Sequence, residues 1–192
     1  MNIEAIDHPP FVGKRLLSVA DYHLMARAGV FAPGERVELI EGEIVNVPPV
    51  GPDHIGLVND LNETLMASAI GRAIVSVQNP LVLPEHSEPE PDVALLRLRA
   101  GRYRKEKPLP ADVLLLIEVA DSTLRYDREI KVPLYASYAI PETWLIDVVG
   151  ERLTRFVEPT RSGYARSETV SDLSAVEAAA LPGLRFDLSR LF

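Results

Sequence analysis

VLLLIEVADSTLRYDREIK, residues 113–131, decides how the chain is read. Five apolar residues run from Val113 to Ile117, and Val119 and Ala120 resume the run after Glu118. A continuous apolar run closed by a polar turn predicts a strand buried on both faces. Such a strand offers no solvated side to a carboxylate. Removing an unpaired carboxylate from water is costly, so Glu118 needs a partner: an ion pair with Arg125 or Arg128, a hydrogen-bond donor, or a metal ion. Beyond the turn, Asp127 and Lys131 stand at i and i+4 in the favourable order, which by itself contributes about 0.2–0.5 kcal/mol to a helix.

Working outward, Asp92 is a second carboxylate at a strand boundary. It follows Pro91 in PEPD (89–92) and opens the apolar run VALL. One reading makes it a turn cap. The other places it on the strand next to Glu118, where the two carboxylates could share one cation. Mg²⁺ takes oxygen ligands and keeps several waters, so one or two carboxylates and a carbonyl suffice.

The remaining elements frame these strands. Ser18 with Asp21 three residues later is a capping box, and SVADYHLMARAGVF predicts a short amphipathic helix closed by Gly29. RVELIEGEIVNV predicts two strands about a tight Glu41-Gly42 turn. In PPVGPDHIGLVNDLNETLMASAIG, Asp53 is the expected N-cap. Ile55, Val58, Leu61, Leu65 and Met66 follow at helical spacing, with Gly71 at the close. AIVSVQNPLVL reads as a strand ending at Pro84. TLRYDREIKVPLYASYA reads as a helix starting near Tyr126 or Asp127, with irregularity expected at Pro133, which lacks a donor and crowds the preceding turn. ETWLIDVV is another buried strand with ERLTRFVEP as its hairpin partner. Residues 164–171 suit a further strand, and ALPGLRFDLSRLF suits a terminal tie-down. Helices covering a mixed sheet make this an α/β protein. A single domain over 1–192 is expected, with its core at about 53–150, an N-terminal extension at 1–52 and C-terminal strands and tail at 151–192.

Composition narrows the function. The 192 residues contain no cysteine, which removes disulfides and thiolate metal sites. MNIEAIDHPPF lacks the basic and apolar regions of a secretory signal, and no apolar run approaches a membrane span, so a cytoplasmic protein is expected. Net charge is −8, which disfavours nucleic acid as a partner. The charge is uneven, however. RLRAGRYRKEK, residues 97–107, sets Arg97, Arg99, Arg102, Arg104, Lys105 and Lys107 against Glu106 alone. That segment is either a solvated loop or a phosphate-contacting patch carried by Arg102, Arg104 and Lys105. His8, His23 and His86 lack a second ligand at metal-site spacing. The chain carries no glycine-rich phosphate loop, G-x-S-x-G elbow, zinc finger or recognisable helix-turn-helix.

PEPD at 89–92 and IEV at 117–119, on consecutive core strands, resemble the PD-(D/E)xK nuclease superfamily. The longer string EVADSTLRYDREIKVPLYASYAIPETWLIDV, with ELIEGEIV and PPVGPDH upstream, is similar to its Uma branch of inferred restriction-type endonucleases. The resemblance covers roughly residues 18–190. It implies a restriction-endonuclease-like core, a central mixed β-sheet flanked by helices, extended by an N-terminal helix and β-hairpin. It also implies hydrolysis of DNA phosphodiester bonds with Mg²⁺ or Mn²⁺, and a homodimer. Asp92 and Glu118 match the metal ligands, with the Val119 carbonyl a third. The superfamily lysine belongs two residues after the glutamate, where Ala120 stands. Lys131 matches a lysine moved to the next helix, so Asp92, Glu118 and Lys131 are the expected catalytic set. His54 matches a histidine common in the family and is either an accessory group or a capping or surface residue. Glu38 and Glu41 lie on the early hairpin, where an acidic residue could join the metal site; Glu41 is the accessory candidate. The rival to the enzyme is a catalytically inactive binding or assembly module, which the acidic surface and Ala120 favour.

Overall fold

The computed structural model describes residues 13–192; the expectations resting on His8 and on the N-terminal stretch fall outside them. The helices are α1 (Val19–Arg27), α2 (Pro52–Ala69), α3 (Leu124–Tyr126) and α4 (Val132–Ser137). The strands are β1 (Val37–Ile40), β2 (Glu43–Asn46), β3 (Ile74–Val77), β4 (Val93–Leu96), β5 (Val113–Ala120), β6 (Glu142–Asp147), β7 (Arg152–Thr160), β8 (Gly163–Thr169), β9 (Val176–Glu177) and β10 (Arg185–Phe186). Strands β3 to β8 form a six-stranded sheet in chain order. β5 and β6 are parallel and every other pair is antiparallel, so the sheet is mixed, as the α/β reading expects.

β5 is buried along its whole length because both of its faces are covered. Its side chains alternate with period two. Ile117 and Val119 join Leu61 and Leu65 of α2, Trp144 and Phe186 in one cluster. Leu116 joins Leu134 and Tyr135 of α4 in another. Glu118 shares the parity of Leu116 and therefore faces the helical segment that connects β5 to β6.

That connection is one helical run with a wide turn inside it. It starts at Leu124, earlier than the sequence suggested. Residues Asp127–Lys131 are π-helical, with the Val132 N–H bonded to the Asp127 carbonyl five residues back. Pro133 accounts for this. It has no N–H for the carbonyl four residues before it, and its ring needs the room that a π turn provides. The extra residue in the turn carries Lys131 inward, and Lys131 is buried.

Elsewhere the structure shifts boundaries. The capping box of α1 forms, with the Asp21 N–H donating to Ser18 Oγ at 3.1 Å and the Ser18 N–H donating to Asp21 at 3.0 Å. The tight turn forms too, with Glu41 and Gly42 both at positive φ. α2 begins with Gly51 as its cap and Pro52 as its first residue, so Asp53 lies within the first turn instead of capping it. Its buried face is His54, Leu57, Val58, Leu61, Leu65 and Ala69, while Ile55 and Met66 are exposed. β3 ends at Val77, well short of Pro84, because Gln78 takes a positive φ and turns the chain away.

The C-terminal segment is docked as expected. Phe186 is fully buried and meets Trp144 edge-on at 6.0 Å between ring centroids. Leu188 and Leu191 extend the same cluster. Phe186→Ala should therefore cost about 3–5 kcal/mol. Urea unfolding followed by Trp144 fluorescence checks this, and a loss below about 1 kcal/mol would mean that the tail is not part of the core.

Candidate active site: an acidic pocket at a fork between strands

β4 and β5 pair from Leu96 and Val113 to Val93 and Ile117, and there the ladder ends. One step further, Asp92 stands opposite Glu118. The Val119 N–H donates to Asp92 Oδ2 at 2.9 Å, so a carboxylate takes a donor that a β-partner would otherwise use. His54, on the first turn of α2, brings Nε2 to 3.0 Å from Asp92 Oδ1. Gln78 Nε2 is 3.3 Å from the same oxygen. Burial alone would raise the Asp92 pKa. The hydrogen bond and charge of His54 and the Val119 N–H outweigh it, and the net shift is downward.

Glu118 is 2% exposed. Its Oε1 accepts from the Tyr135 hydroxyl and lies 3.1 Å from Lys131 Nζ. Lys131 also reaches Glu38 Oε1 at 3.3 Å, and the Glu90 N–H donates to that oxygen at 2.9 Å. Burial pushes the Glu118 pKa up to about 8. Lys131 pulls it back, but Lys131 is shared with Glu38, while Asp127, Asp92 and Glu38 add negative charge. The same carboxylates drive the Lys131 pKa above its ordinary value although burial acts against it. Lys131 is therefore a permanent cation here. Among the described residues, Glu118 Oε2 has no hydrogen-bond partner.

These groups line one cavity of about 270 Å³. Asp92, Glu118, Lys131 and His54 all border it, so the structure brings together the four residues that sequence had placed on a loop end, a strand and two helices. Asp127 borders it as well, but it does not form the expected i, i+4 ion pair. The π turn separates it from Lys131, and Asp127 instead accepts from Thr123 Oγ1 at 2.6 Å. Burial raises its pKa, partly offset by Lys131 and Thr123. Arg125 pairs with Glu129 at the surface, so the ion pair considered for Glu118 goes to Lys131. Glu41 sits on the exposed hairpin turn and does not border the cavity. Glu38, three residues earlier on β1, does.

Sequence reasoning missed Tyr135 and left Glu38 unresolved. Glu38 carried the same signal as Glu118, a carboxylate inside an apolar strand. Tyr135 carried none, because an aromatic at helical spacing reads as core. The basic loop lies elsewhere. It joins Leu96 to Val113 at the end of the strands opposite Asp92 and Glu118. Arg99 pairs with Glu106 there, and Lys107 pairs with Glu88. Arg102, Arg104 and Lys105 form no ion pair among the described residues.

The donor set suits a hard divalent cation. Glu38, Glu90, Asp92, Glu118, Asp121 and Asp127 border the cavity against Lys131 and Arg36. No ready-made cage of three or more ligands exists among the described residues. Mg²⁺ does not require one, since one or two carboxylates and its own waters complete its shell. Asp92 and Glu118 Oε2 are the oxygens that could hold such an ion.

A carboxylate pocket at the fork of a six-stranded mixed sheet defines the class of protein, an α/β fold of nuclease type. In structure the chain is similar to a putative nuclease belonging to DUF820 from Anabaena variabilis ATCC 29413. The TM-score is 0.69 at 15% identity, over 92% of this chain and 97% of that one. Residues 19–189 match the Uma2 family, described as "Putative restriction endonuclease", and the chain belongs to that family. No curated protein matches the sequence. No helix among the described residues is long and apolar enough to cross a membrane.

Two stability effects follow from the buried charges. Lys131→Met should cost about 3–5 kcal/mol near pH 8, because it leaves Glu118 and Glu38 buried without their cation. Glu118, with its pKa raised from 4.5 to about 8, contributes stability that is full below about pH 4.5 and lost as pH rises to about 8. Glu118→Gln should flatten that part of the metal-free stability curve, measured by urea unfolding at a series of pH values; an unchanged slope would rule out the raised pKa.

Proposed function

We propose that this protein is a metal-dependent endonuclease that hydrolyses DNA phosphodiester bonds. The observation that carries the reading is the convergence of Asp92, Glu118 and Lys131 on one cavity, with Lys131 arriving from a different element than the superfamily motif uses. A cation near the metal-bound water is a requirement of position and not of sequence spacing. Ala120 at the usual lysine position is therefore compatible with activity.

Each residue has a role that its surroundings support. Asp92, kept ionised by His54 and the Val119 N–H, is the permanent anionic ligand. Glu118 offers Oε2 while Tyr135 and Lys131 hold Oε1. A bound Mg²⁺ or Mn²⁺ would supply positive charge at the scissile phosphate and acidify a coordinated water. Lys131 retains its proton at all ordinary pH values, so it serves as a donor that orients water or steadies developing charge on phosphate, and not as a general base. His54 holds Asp92. Arg102, Arg104 and Lys105 would touch the nucleic-acid backbone away from the reacting phosphate. A homodimer, implied by the resemblance, is needed only if both strands are cut.

The inactive-module reading retains the acidic surface and Ala120 as support. It would gain if Lys131 faced solvent or paired only with Asp127, but Lys131 is buried against Glu118 and Glu38.

Wild-type protein should nick a gapped plasmid, which offers both paired and unpaired DNA, in Mn²⁺ or Mg²⁺ and be silenced by chelation. Asp92→Asn and Glu118→Gln should each lower nicking at least 100-fold while the circular dichroism spectrum stays native. Nicking retained in Glu118→Gln would remove the mechanism. Because a cation must displace the proton of Glu118, Mn²⁺ affinity should strengthen as pH rises from 6 to 8. Titration calorimetry measures this, and a flat affinity would count against Glu118 as a ligand.

A further inference from the structure

We propose that the pocket takes a single unpaired strand and not the side of an intact duplex. The inference rests on the nuclease reading and concerns which form of nucleic acid reaches the site.

The reacting groups are recessed. Glu118, Lys131, Glu38 and Asp127 are all buried, and the Asp92 side chain is only 14% exposed. The segment Val47-Pro48-Pro49-Val50-Gly51 forms one wall of the cavity, and the turn Asp121-Ser122-Thr123 forms another. The two walls nearly touch: a Cβ at Gly51 would stand 3.1 Å from Asp121 Oδ2. The proline wall is pinned at each end. The Val47 N–H donates to the Arg36 carbonyl at 2.9 Å, and the Gly51 carbonyl accepts from the Ile55 N–H at 3.1 Å. Two consecutive prolines stiffen what lies between.

A phosphate in a duplex arrives attached to a stacked, paired nucleotide and to the opposite strand. Reaching groups buried behind such a wall would require pulling the nucleotide out of the stack, as enzymes acting on recessed atoms of a duplex must. A single strand has no such constraint, since its bases splay and its backbone bends. A cavity of about 270 Å³ lies just below the usual range of ligand pockets, which suits the backbone of one strand more than a stacked pair.

The lining also suits a thin substrate. One wall, with Val45, Val47 and Val50 beside the prolines, is apolar and can pack against a sugar or base face. The basic patch that could grip a duplex lies at the other end of β4 and β5, and among the described residues the cations that line the pocket are Arg36 and Lys131.

The test uses wild-type protein with Ca²⁺ and a 12-nucleotide DNA, offered single-stranded or as a blunt duplex. Methyl NMR of Val45, Val47 and Val50 reports the pocket directly. The single strand should shift these resonances at a concentration at least tenfold below any duplex effect. In Mn²⁺, cleavage of the single strand, or of an unpaired flap on a duplex, should exceed cleavage within the paired region at least tenfold. Equal or stronger effects of the blunt duplex on the same methyls, or methyls unmoved by the single strand, would overturn the proposal. Absence of cleavage of every substrate would overturn the nuclease reading, while the methyl titration would still decide strand preference.

Discussion

Lys131 held between Glu118 and Glu38 is the interaction on which the rest of the site depends. Six carboxylates border one cavity, and the buried ammonium of Lys131 offsets their mutual repulsion. The cost of burying charge is met only when geometry and hydrogen bonding are good. Here Tyr135 and the Glu90 N–H complete what the lysine begins. The balance still leaves an excess of negative charge at the cavity. Burial and that charge both favour the proton of Glu118, so any cation that bound there would have to displace it.

The π turn at Asp127–Lys131 connects the backbone to this charge balance. An ordinary α-helix would leave Asp127 and Lys131 facing each other as a surface pair of small energetic weight. The wider turn separates them and gives each a different task. Pro133 makes the wide turn the comfortable conformation. A residue that looks like a fault in a helix thus goes with a turn that carries Lys131 inward to Glu118 and Glu38.

Much of this was legible in the sequence because burial constrains composition strongly. A strand apolar on every side chain except one declares that one residue, and Glu118 was found that way. Asp92 was legible from its place at the head of the next strand. The capping box of α1 and the Glu41-Gly42 turn were legible because their chemistry is local. Glu38 and Glu41 could not be told apart, because a four-residue strand beside a tight turn is too short for its parity to decide which acid faces inward. His54 could not be told from a surface histidine, since the buried face of α2 is rotated by about one residue from the Ile55–Met66 stripe. Tyr135 was hidden altogether, since its hydroxyl matters only for what happens to lie beneath it.

The bond from the Val119 N–H to Asp92 has a consequence for how such a protein decays over evolutionary time. The carboxylate occupies the place where two strands would otherwise go on pairing. Replace it with an apolar residue and the neighbouring backbones are free to close, burying more surface and shedding a desolvated charge. That gain would be set against His54, Gln78 and the Val119 N–H, all of which lose their partner. A lineage that loses the acid therefore trades three satisfied contacts for a closed fork.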